Sequence, residues 1–114
     1  MLTTSKARLL RLHLSEDDHY AGKLLYEAVV ARCQELHIAG ATVFRGLEGF
    51  GETAAIQRRH LVASDRPIVV TIVDTPEKIE QLIPELEAII GDGLMAVSEV
   101  EVIRVERGMA SGPA

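Results

Sequence analysis

Cysteine is almost missing from this chain: Cys33 is the only one in 114 residues. No disulfide can therefore close within it, and no cluster of thiolates can hold a metal. The four histidines (His13, His19, His37 and His60) show no metal-ligand spacing, so no metal site is expected. Tryptophan is absent, and Phe44 is the one aromatic residue in a predicted strand, which removes the stacking platform that single-stranded RNA requires. Basic residues are outnumbered, 12 against 17 acidic, and such a balance does not displace counterions from nucleic acid. No run approaches the ~20 apolar residues of a membrane span. The first residues, Met1 to Lys6, lack the apolar stretch of a signal peptide. A cytoplasmic protein is expected. Neither a nucleophile–base pair, nor paired carboxylates, nor a Walker-type phosphate loop is present, so the chain does not read as an enzyme.

What is there suits a globular domain. The apolar fraction is 47% and the charged fraction 25%, both ordinary for a packed core with a solvated surface. The length fits one domain over residues 1–114, with an ordered core over about 7–107.

Periodicity orders the elements. Residues 7–14 alternate as a strand, with Leu10, Leu12 and Leu14 on one parity. Ser15-Glu16-Asp17-Asp18 offers a cap and first-turn carboxylates for a helix from Tyr20 to His37, whose stripe is Leu25, Val29, Cys33 and Leu36. Gly40 marks its exit, and residues 41–47 form a second strand. A long polar connection over about 48–66 follows, and loops of that length are usually functional or mobile. Residues 68–73 make a third strand. Thr75-Pro76 starts a second helix, with Ile79, Leu82, Ile83, Leu86, Ile89 and Ile90 on one stripe and Pro84 opposite. Gly91-Asp92-Gly93 ends it, and a last strand spans 94–106, its alternation slipping near Glu99 as at a bulge. The tail, 108–114, reads as disordered. The order is βαββαβ, an α+β ferredoxin-like split βαβ sandwich. Two helices cover one face of such a sheet. Leu9, Val69, Val73, Ile103 and Val105 leave apolar groups for the other, which predicts an oligomer interface there.

Gly40-Ala41-Thr42-Val43, then Gly49-Phe50-Gly51, then Gly91-Asp92-Gly93, resemble the PII signalling proteins. Tyr20-Ala21-Gly22-Lys23-Leu24-Leu25-Tyr26-Glu27, Ala39 to Gly46 and Ile72-Val73-Asp74-Thr75 resemble more closely an uncharacterised family of short PII-like proteins, over Lys6 to Arg107. The resemblance implies a homotrimer with sheets inward and helices outward. It also implies clefts between subunits that take an adenine nucleotide or another small anion. The long loop would then be presented to a partner: a membrane transporter or channel, or an enzyme. The chain departs from the PII pattern at Leu94, where PII proteins carry a phosphate-contacting lysine, and at Glu52-Thr53 after the G-F-G turn. ATP is accordingly expected to bind weakly.

Residue chemistry marks the same places. Gly49, Phe50 and Gly51 let backbone N–H groups approach an anion, and Gly91, Asp92 and Gly93 form a second glycine turn. Arg104 carries charge on the last strand, while Arg45, a charge inside a strand, requires a partner. Arg58, Arg59 and His60 form the densest basic cluster, suited to the partner loop. Tyr20, Lys23, Tyr26 and Glu27 frame a polar cleft at the first helix or simply its solvated face. The leading expectation is a non-enzymatic regulatory trimer. The alternatives are a metal- or ion-tolerance protein of the trimeric divalent-cation-tolerance type and a small enzyme with interface sites.

Overall fold

The computed structural model describes residues 1–47 and 66–107. Its elements in chain order are β1 (Leu2–Ser15), β2 (His19–Tyr20), β3 (Lys23–Leu24), α1 (Leu25–Glu35), β4 (Ala41–Arg45), β5 (Pro67–Asp74), α2 (Pro76–Ile89) and β6 (Leu94–Val105). The main sheet is antiparallel throughout, in the order β4-β5-β1-β6. With β2 and β3 set aside, this is the expected split βαβ arrangement.

Even-numbered residues of β1 face the helices. Leu10, Leu12 and Leu14 pack there with Ile68, Val70 and Ile72 of β5, all nearly inaccessible. Leu25, Val29 and Cys33 of α1, with Ile79, Leu82, Leu86 and Ile89 of α2, close this core from above. The helix stripes are those the 3.6-residue period predicts. Burial pushes the Cys33 thiol up to about 11. The sign follows directly: the unfolded chain loses this proton first, so stability holds below pH 9 and falls as pH rises through the folded value. Urea midpoints across that range are expected to decline in the parent more than in Cys33→Val.

The start of α1 departs from expectation. Ala21 (φ 52°) and Gly22 (φ 80°) adopt left-handed backbone and turn β2 onto β3 as a tight hairpin. The helix therefore begins at Leu25 rather than Tyr20, after an extended Leu24 that gives no side-chain cap. Asp18 serves the loop instead, its Oδ2 accepting from Ser15 N at 2.9 Å and its carbonyl from Leu25 N at 2.7 Å. The exit also differs. His37 (φ 57°) takes the left-handed position, Ile38 N donates to Cys33 O, and His37 N donates to Gln34 O, so the helix ends at Glu35, five residues before Gly40.

At the second helix the sequence signals hold. Thr75 Oγ1 accepts from Lys78 N at 3.2 Å, Pro76 is the first helical residue, and the helix runs on through Pro84. No bulge interrupts β6. Its register with β1 is continuous from Leu2↔Val105 to His13↔Leu94. Glu99 breaks the apolar alternation for another reason: it lies opposite Arg8, whose Nε it binds at 2.8 Å.

Beyond Arg8, β5 ends and β1 continues beside β6 alone. Residues 2–7 and 100–105 thus form a two-stranded arm. Leu2, Ile103 and Val105 lie on it more than half exposed. The face of the sheet that bears Leu9 carries no helix. Leu9, Val69 and Val73 are half-buried there, and Phe44, opposite Val69, is 56% exposed. Ile103 and Val105, expected on that face, instead stand opposite Thr4 and Leu2, which share the parity of Leu10, and so lie on the helix-side face of the arm.

Candidate functional site

Arg45, the last residue of β4, has the partner its position demanded. Its guanidinium makes an ion pair with the Glu16 carboxylate, which is the more buried of the two. Glu16 lies just past β1, and its backbone N–H donates to Arg66 O at 2.8 Å. Beside it Gly46 N donates to Pro67 O at 2.8 Å. The chain leaving β4 and the chain returning into β5 are therefore pinned to one end of the sheet. In the sequence Glu16 reads as a first-turn carboxylate of a helix and Gly46 only as part of a family-like segment, although a charged residue within a strand implies some carboxylate nearby. Gly46 has a steric role: a Cβ there would meet Pro67 Cγ at 2.9 Å. Gly46→Ala is expected to cost about 1–3 kcal/mol, because a rigid ring rather than a flexible chain end must give way. Thermal unfolding checks it, and an unchanged midpoint would mean the edge shifts freely.

The Gly91-Asp92-Gly93 turn lies at the same end, between α2 and β6. Gly93 is packed, since a Cβ would meet Ile90 Cγ2 at 3.0 Å and His13 O at 3.5 Å. Gly91 faces open space. The turn and Arg45 occupy opposite edges of the sheet, three strand spacings or about 14 Å apart. Arg104 is farther still. It sits on the arm, ten residues along β6 from Leu94, or about 33 Å from the turn. One chain thus does not bring Arg45, the glycine turn and Arg104 into one pocket. Gly49, Phe50, Gly51, Arg58, Arg59 and His60, and the proposed tail, lie outside the described residues.

A second concavity of about 390 Å³ lies on the helix side, between the β2–β3 hairpin, α1 and the end of α2. Tyr20, Lys23 and Glu27 line it, as does Ala21 of the turn, while Tyr26 packs against the core instead. Arg32 also borders it, held by Glu85 at 2.8 Å and Glu35 at 3.2 Å.

The family DUF190, described as an uncharacterized ACR, matches residues 7–102. The chain belongs to this family. Two relatives span nearly its whole length. A UPF0166 protein of Aquifex aeolicus is 39% identical over 100 residues, covering 86% of this chain and 94% of the relative. Another, from Methanocaldococcus jannaschii, is 30% identical over 103 residues, covering 89% and 95%. Among solved structures, the apo form of CPII from Thiomonas intermedia K12, a nitrogen regulatory PII-like protein, superposes with a TM-score of 0.60 at 20% identity, covering 92% of this chain and 100% of CPII. TTHA0516 from Thermus thermophilus, described as PII-like and signalling, gives 0.61 at 15% identity, covering 87% and 90%. Another CPII structure holds ADP, AMP and bicarbonate, and matches at 0.60 and 18% identity over 88% of this chain and 91% of CPII. The DUF190 chain therefore has the PII-like fold, with two helices on a four-stranded antiparallel sheet. Among the described residues, no helix is long and apolar enough to cross a membrane.

Proposed function

We propose that this DUF190 protein is a non-enzymatic regulatory trimer that binds a small anion, an adenine nucleotide first among candidates, in clefts between its subunits. The connection over 48–66 would present that ligand state to a partner protein, a membrane transporter or channel or an enzyme. One observation carries the reading. The groups suited to an anion lie at opposite sheet edges and on a projecting arm, so they can meet only when one copy lies against another. An arm from a neighbour would supply Arg104 to the Gly91-Asp92-Gly93 turn, and a neighbour's edge would supply Arg45 and the Gly49-Phe50-Gly51 segment. CPII, of the same fold, holds ADP, AMP and bicarbonate, which sets the first ligands to try.

Calorimetry and thermal shift with ADP, AMP, ATP and bicarbonate test the proposal, because a ligand that binds only the native state raises its stability. ADP or AMP is expected to raise the unfolding temperature, and Arg104→Ala to remove most of that shift. ATP is expected to bind weakly, because Leu94 offers an apolar side chain where a third phosphate would need a cation. No shift with any of these ligands would overturn nucleotide binding. A micromolar ATP dissociation constant would overturn the role given to Leu94.

A further inference from the structure

The groove beside α1 has a composition the nucleotide reading does not use. Its wall includes Ala28 and Ala31, one helical turn apart, and Ile89, which give it an apolar patch among the charged groups that rim it. The hairpin forming the opposite side closes through Ala21, a residue with a Cβ held at φ 52°, where glycine would sit without strain. Its volume, about 390 Å³, falls in the range of small-ligand sites. Lys23 and Glu27 bring opposite charges to it, and Tyr20 a hydroxyl. Among the described residues none of these three side chains has a hydrogen-bond or ion-pair partner, and Lys23 and Glu27 do not pair with each other. Arg32, by contrast, is committed to Glu35 and Glu85.

That difference selects the ligand. A phosphate or other net anion would need spare positive charge, and the one arginine here is already neutralised by two carboxylates. One unpaired cation and one unpaired anion beside an apolar wall suit a molecule that carries both charges on a small apolar body. We propose that the groove between the β2–β3 hairpin and α1 binds a small apolar amino acid as its zwitterion. The ligand carboxylate lies against the Lys23 ammonium, the ligand ammonium against the Glu27 carboxylate, and the side chain against Ala28, Ala31 and Ile89. The Tyr20 hydroxyl donates to the carboxylate or accepts from the ammonium. This site is on the helix layer, so it stays open whatever covers the bare face of the sheet.

L-leucine is the probe, titrated calorimetrically into the full chain beside isovaleric acid and isoamylamine, which keep the apolar body but carry one charge each. Leucine is expected to bind at millimolar concentration or below, and each single-charge analogue about tenfold more weakly or worse. Lys23→Met and Glu27→Gln alter exposed side chains and are expected to leave the fold intact while weakening leucine to the same degree. Ala31→Phe fills the groove and is expected to abolish binding. Absence of leucine binding to the parent overturns the proposal, as does leucine binding that Lys23→Met and Glu27→Gln leave unchanged. Loss of ADP binding in Lys23→Met, with no leucine binding in the parent, would instead make the groove an anion site.

Discussion

Leu9→Asp is expected to turn the proposed trimer, about three times 12.4 kDa, into a folded monomer. Leu9 sits mid-strand on the open face, opposite Val73 on one side and Ser98 on the other. Val69 and Phe44 continue the same face toward the β4 edge. Full burial of such side chains contributes ~1.5–3 kcal/mol each, so a few of them sustain association. A carboxylate at the centre of that contact would have to be desolvated without a partner, which costs several kcal/mol in every subunit. The monomer core barely notices, because Leu10, Leu12 and Leu14 face the other way. Light scattering after size exclusion reads the mass, and circular dichroism confirms that the monomer is folded. Glu87→Lys, an exposed change on α2, is the control and is expected to leave the mass unchanged. A parent that is monomeric at micromolar concentration, or a Leu9→Asp protein that keeps the parent's threefold mass, would remove the open face as the interface.

Much of this architecture is readable in the chain because several signals coincide. β5 is an apolar run fed by Pro67, and α2 joins a Thr-Pro start to a long stripe at helical spacing. Each of those elements lies within a residue or so of its expected place. The beginning of α1 misleads for a physical reason. Ser15 to Asp18 has the composition of a helix cap, yet the chain spends Asp18 on closing its own turn. Two consecutive residues with positive φ, of which only Gly22 advertises the conformation, then insert a hairpin. The apolar stripe itself starts at Leu25, and weight placed on that stripe rather than on the carboxylates yields the observed boundary.

The candidate site was readable as residue types and not as a place. Arg45 needs a counter-charge, and finding Glu16 across the end of the sheet requires knowing that β1 and β4 are separated only by β5. Arg45, the Gly91-Asp92-Gly93 turn and Arg104 look equivalent in the sequence. Topology then sets the first two at opposite edges of one end of the sheet and the third on an arm. Strand order is a long-range property, and no local spacing encodes the ~14 Å that separates Arg45 from Gly93. The polar cleft at Tyr20, Lys23 and Glu27 was more legible, since all three lie within one turn and the start of one helix.

Pro84→Ala is expected to stabilise the protein by about 2 kcal/mol. Pro84 lies inside α2, where it has no N–H to give to the carbonyl of Glu80 and its ring crowds the preceding turn. Such a residue costs ~3 kcal/mol or more in a helix interior. Part of that is offset because proline also restricts the unfolded chain, an effect of about 0.4–1 kcal/mol. Nothing in the packing compensates: Pro84 is exposed, while the buried stripe of α2 is Ile79, Leu82, Leu86 and Ile89. For a domain of this size the gain corresponds to an unfolding temperature higher by roughly 10 °C. Pro84→Gly separates the causes, because it restores the N–H but gives up about 1 kcal/mol of helix propensity relative to alanine. The expected order of stability is Ala above Gly above Pro, measured by thermal unfolding at one fixed protein concentration. Equal stability of Pro84→Ala and the parent would mean that α2 has already relaxed around the ring. In that case the Arg32–Glu85 ion pair, one residue along and reaching to α1, is where the adjusted helix would be anchored.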